Sequence, residues 1–101
     1  SDPGANEGVG GYGSFNLNGR SIGAGGLPRP AYTIQEEGRI VINITVDPKG
    51  NVIFAEVGRG TNIDNASMRK SALDAARKAK FNSISGANNQ SGTITYVYKF
   101  K

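Results

Sequence analysis

The sequence predicts an α+β domain. It reads as a small antiparallel β-sheet of three core strands, backed by one main helix, with a short N-terminal edge strand as a fourth member. Three observations carry this. Residues 40–46 and 93–100 alternate apolar and polar side chains, as half-buried strands do. Between them, residues 65–80 carry Met and Ala at helical spacing. Asp47-Pro48-Lys49-Gly50 supplies a turn with its own mechanism: Asp first, Pro second and Gly last, as a type I turn prefers.

The chain has 101 residues, enough for one domain with one modest core. It divides by composition into residues 1–26 and 27–101. Nine of the twenty-three residues from Gly4 to Gly26 are Gly, so this part reads as a flexible linker or tail that has little to bury. Residues 1–12 are expected to be disordered. Within the tail, Phe15 and Leu17 alternate with polar neighbours, and Asn18-Gly19 suits a type I′ turn. A docked edge strand over residues 14–20 is the first choice there and a free tail the second.

Pro28 and Pro30 bracket an extended entry to the domain. In the first long strand Ile40, Ile42, Ile44 and Val46 share one face, opposite Val41, Asn43, Thr45 and Asp47. The return strand, from Asn51 to about Gly58, places Ile53, Ala55 and Val57 toward the core and Phe54 away from it. Asp64 or Asn65 caps the helix, which is expected to run to Lys80. Met68, Ala72, Ala75 or Ala76, and Ala79 form its buried stripe, with Leu73 beside them. Ile94, Tyr96, Tyr98 and Phe100 of the last strand face one way; Thr93, Thr95, Val97 and Lys99 face the other. Ile42, Ile44, Leu73, Phe81 and Tyr98 are expected to be buried together. A right-handed crossover through the helix puts the last strand beside the first, leaving it on an edge with unpaired backbone groups. Such an edge also invites a homodimer.

Several chemistries are excluded. Without Cys there is no disulfide or thiolate metal site, and without His no Ser-His-Asp arrangement. No metal, cofactor or catalytic residue is predicted, and the chain is not read as an enzyme. Gly8 to Gly13 matches GxGxxG but lacks the flanking strand and helix that a dinucleotide site needs. Glu36 and Glu37 are adjacent, so a strand sends them to opposite faces. Asn43, Asn65 and Asn89 head glycosylation triplets, but the first two suit strand and helix-cap positions better. The net charge of +4 raises nucleic acid as a partner. Seven of the twelve basic residues are scattered, and those on the helix have no aromatic partners, so no nucleic acid is expected. No run of apolar residues reaches membrane-spanning length. The abrupt Ser-Asp-Pro-Gly opening reads as a fragment of a longer protein.

Some pieces, in order, resemble the C-terminal domain of TonB-family energy transducers. They are the Leu27–Tyr32 entry, Glu37-Gly38, the Asp47–Gly50 turn, Ala72-Leu73, Lys80-Phe81 and Tyr98-Lys99-Phe100. The resemblance spans residues 27–101. It implies a periplasmic domain that couples inner-membrane proton motive force to TonB-dependent outer-membrane transport. In that family the receptor's N-terminal TonB box pairs with the last strand. Here that implies Thr93, Thr95, Tyr96, Val97, Tyr98, Lys99 and Phe100 as partner-binding residues. It also implies an inner-membrane anchor and motor-subunit contacts in a part of the protein not present here. A TolA-like envelope scaffold without box binding is the alternative. Two features depart from the family pattern: Tyr32 is followed by Thr33 rather than Pro, and the first helix is reduced to a turn around Thr33–Glu37.

Overall fold

The computed structural model describes residues 13–22, 26–30 and 36–100. The expectation for residues 1–12 lies outside them, as does most of the turn expected at Thr33–Glu37. The elements are β1 (Gly13–Asn16), β2 (Gly38–Val46), β3 (Val52–Val57), α1 (Ala66–Arg77) and β4 (Gln90–Tyr98). They form one antiparallel sheet in the order β1-β4-β2-β3, with α1 packed over β2 and β3. The predicted α+β class and the order of the three core strands hold. One consequence differs: β4 is not at the edge, because β1 pairs along its outer side.

Strand phase sets the core. Ile40, Ile42, Ile44 and Val46 are fully buried beneath α1, together with Ile94, Tyr96 and Tyr98 of β4. Met68, Ala72, Ala75 and Ala76 supply the helix side, and the three alanines let the helix lie close to the sheet. Leu73 corrects the expected core. It lies to one side of this stripe and is only half-buried. The helix also ends at Arg77 rather than Lys80. Lys78 and Ala79 donate their N–H groups to Ala75 and Ala76, three residues back, and this tightens the last turn. The chain then leaves the helix axis so that the Phe81 N–H can reach the Gly50 carbonyl at 2.8 Å. Asn65 is the cap, its Oδ1 accepting from the Met68 N–H at 2.9 Å.

The β2–β3 hairpin closes as the turn chemistry predicts. The Gly50 N–H donates to the Asp47 carbonyl, and Gly50 has a φ of 94°. A Cβ there would also strike the Phe81 carbonyl, so both backbone angle and space require glycine. The Asn51 N–H donates to Asp47 Oδ1 at 2.8 Å and holds that carboxyl below the ordinary carboxylate range. Beyond the turn the return strand departs from simple alternation. Thr45 faces Phe54 and Val46 faces Val52, so Ile53 is an extra residue with no partner. This bulge shifts the phase by one residue. Ile53 is therefore 54% exposed rather than in the core, while Ala55 is buried and Val57 half-buried, as expected.

Candidate functional site: the outer side of the last strand

The last strand carries five of the seven residues singled out for partner binding, and Lys99 and Phe100 follow directly after it. β2 decides which way its main chain points. The Gly58 and Asn62 N–H groups donate to the Val41 and Arg39 carbonyls, so these alternate β2 residues turn away from β4. Ile40, Ile42 and Ile44 then turn toward β4, where they pair with Tyr96, Ile94 and Gly92. The main-chain groups of Thr93, Thr95 and Val97 are left pointing outward.

β1 takes the lower part of this outward row, with Asn16 opposite Thr93 and Ser14 opposite Thr95. Gly13, its first described residue, lies opposite Tyr96. Val97 is one step beyond, and among the described residues nothing pairs with it on that side. The side chains split by face. Tyr96 and Tyr98 are buried in the core, and the Tyr96 hydroxyl donates to the Pro28 carbonyl at 3.0 Å. Thr93 and Thr95 are half-buried on the helix-free face. Val97, Lys99 and Phe100 are exposed, and the Phe100 N–H donates to Glu37 Oε2 at 2.7 Å. A shallow depression of about 370 Å³ lies here, between the start of β2 and the end of β4. It is lined by Glu37, Gly38, Arg39, Val97, Tyr98 and Lys99. It offers an apolar floor with charges of both signs at its rim.

The segment beside β4 is built in more firmly than its composition suggests. Phe15 is buried and meets Phe81 edge-to-face, with ring centroids 5.2 Å apart. Gly92 lets the chain cross, since a Cβ there would run into the Asn16 carbonyl and Leu17. After Leu17 the chain turns, with the Arg20 N–H donating to the Leu17 carbonyl. Of the two central turn residues only Gly19 has positive φ, at 74°, whereas a type I′ turn needs it at Asn18 as well; the pattern is that of a type II turn. The turn also ends the strand at Asn16, short of the expected residue 20.

Arg20 follows the turn and is 1% exposed, the one buried charged side chain among the described residues. Its guanidinium donates to the Asn82 carbonyl, the Asp47 carbonyl and Gln90 Oε1, at 2.6, 3.0 and 2.7 Å. The fork geometry of Arg suits three acceptors from separate parts of the chain: two loops and the start of β4. Gln90 in turn donates to the Asn18 carbonyl, and Ser21 and Asn82 exchange hydrogen bonds. Nothing local in the sequence marked Arg20 for this role, because its acceptors lie far along the chain.

The charged helix surface is partly self-satisfied. Asp74 pairs with Lys70 at 2.9 Å and Arg77 at 3.6 Å, and the Lys70 hydrogen bond lowers its pKa. Arg69 Nε donates to the Ile63 carbonyl. Among the described residues no cluster of acidic side chains could hold a metal ion, and no helix is long and apolar enough to cross a membrane.

A sheet with this strand order, an Ala-lined helix on one face and a Tyr-rich last strand agrees with a family comparison. The family model for the Gram-negative bacterial TonB protein C-terminal domain matches residues 27–101. The chain belongs to the TonB C-terminal family. The match takes in β2, β3, α1 and β4, and it begins after β1 and Arg20. Neither the curated proteins nor the solved structures give a match. Membership places the domain with periplasmic, transport-associated proteins that interact with outer-membrane receptors.

Proposed function

We propose that this domain is the receptor-binding end of an energy transducer. It takes up the N-terminal box segment of a TonB-dependent outer-membrane receptor as an added strand along β4. Thr93, Thr95, Tyr96, Val97, Tyr98, Lys99 and Phe100 form the partner-binding strand. Val97 contributes outward main-chain groups, and Lys99 and Phe100 contribute exposed side chains beyond it. The observation that carries this reading is the outward row on β4 of a TonB-family sheet. Strand addition uses just such a row, with main-chain hydrogen bonds supplying affinity and alternate side chains supplying selectivity. Several such bonds side by side also share a pulling load, which suits a protein that transmits work from an inner-membrane motor to an outer-membrane channel. The chemistry asked of the domain is gripping rather than bond-making, and it needs no cofactor.

Titration of the domain with synthetic receptor N-terminal peptides, read by NMR shifts, tests the reading. Shifts should concentrate on β4. Val97→Ala keeps the main chain and should bind nearly as well. Val97→Pro removes one outward donor while leaving the pairing with β2, so it should fold and lose binding. Binding by folded Val97→Pro equal to that of the parent would rule out addition at this position. No binding by the parent would favour a scaffold role in the envelope.

A further inference from the structure

We infer that β1 is an internal occupant of the partner site, and that a receptor strand must exchange with it to gain the full length of β4. This rests on the strand-addition reading above. Gly13–Asn16 lies antiparallel on β4 and takes the outward groups of Thr93 and Thr95, which an added strand would need. The segment lies before the family match, so the occupied edge belongs to the matched domain and its occupant does not.

The two parts of this segment are held very differently. From Leu17 to Ile22 the chain is fastened by buried Arg20, by the Gln90–Asn18 bond, and by the pairing of Ile22 with Phe81. Gly13–Asn16 is four residues long and pairs on one side with β4, and Phe15 is its one large buried side chain. Release of β1 therefore does not require release of Arg20. The anchored turn keeps the displaced strand close, so it competes at high local concentration.

The vacated slot defines the partner. It takes a large apolar or aromatic side chain in the place of Phe15, against the Phe81 ring. Two residues earlier it takes Gly or a small residue, because a Cβ on Gly13 would come within 3.2 Å of Leu27 and Tyr96. β1 itself runs antiparallel to β4, and an incoming strand of the same direction reuses its pairing. A receptor segment of the pattern small-polar-aromatic meets these conditions.

The test uses the full chain and fluorescent receptor N-terminal peptides. Ser14→Pro removes the donor that β1 presents opposite Thr95 and should loosen β1 alone. A Ser14→Cys, Thr95→Cys pair joins β1 to β4 by a disulfide, in a chain that has no other cysteine. Ser14→Pro should bind peptide about tenfold or more tightly, since the competent fraction rises. The oxidised pair should bind about tenfold or more weakly than the same pair reduced. Equal affinity in the parent, Ser14→Pro and oxidised proteins would overturn exchange while leaving strand addition elsewhere on the sheet standing. Absence of binding in all three would remove the strand-addition reading, and the exchange proposal with it. Should Ser14→Pro fail to fold, the oxidised and reduced pair decides alone.

Discussion

The two sides of this sheet are closed in opposite ways. β3 protects its own edge, because Ile53 bulges out of register and breaks the regular row of main-chain groups. β4 keeps a regular row and has it covered by a separate piece of chain, β1. A bulge is built into its strand and cannot be taken off. A covering strand can be exchanged. The difference teaches which edge the fold seals and which it leaves available to a partner.

The largest expected effect is at the floor of the β1 slot. Phe81→Ala removes a fully buried ring that supports Phe15 and should lower stability by about 3–5 kcal/mol. Chemical denaturation measures this, and hydrogen exchange should show β1 loosened before β3. Equal loosening at both edges would erase the contrast between them.

Arg20→Met comes next. It keeps much of the stem but leaves the Asn82 and Asp47 carbonyls and the Gln90 side chain short of a donor. A loss of about 1–3 kcal/mol is expected, together with faster amide exchange in Leu17–Ile22. A thermal midpoint equal to the parent's would show that Arg20 does not fasten this edge.

Leu73→Ala sharpens the comparison from the helix. Full burial would have implied a cost of about 2–5 kcal/mol. Leu73 is half-buried, so about 1 kcal/mol is expected. A larger loss would mean that α1 meets the sheet on a different face.

The smallest effect concerns the turn that sets the register of β3. Asp47 is held below its ordinary pKa, chiefly by the Asn51 N–H. A depressed carboxyl stabilises the fold above its unfolded-state value, and that contribution fades as pH falls through the folded value. The gap in thermal midpoint between parent and Asp47→Asn should therefore be full near neutrality and narrow below about pH 4. A gap that widens in acid would reverse the assigned sign.

Much of the fold was legible in short stretches. The Ile40–Val46 alternation, the Asp47–Gly50 turn and the Ala stripe each depend on neighbours a few residues apart. Their physics is written locally. The phase of β4 was legible too, since Ile94, Tyr96 and Tyr98 are the side chains it buries. Ile53 was misplaced because a bulge arises from the fit of two strands, and alternation within one strand does not reveal it. Leu73 was placed too deep because helical spacing marks a stripe without marking its width. The tail was harder still. Its glycines spoke for mobility, and the reasons that Gly13–Ile22 docks lie at Phe81, Asn82, Gln90 and Gly92.

The sequence by itself determined the class, the order of the core strands and the face that each buries, because periodicity and turn chemistry act over a few residues. Only the tertiary structure decided that β4 is covered and that Arg20 is buried. Arg20 and Asn82 are 62 residues apart in sequence, and a short strand from a glycine-rich tail gains its order only from the surface it meets. Docking there depends on a Phe81 ring to cover, a Gly92 to cross and three acceptors to share one guanidinium, and those exist together only once the chain has folded.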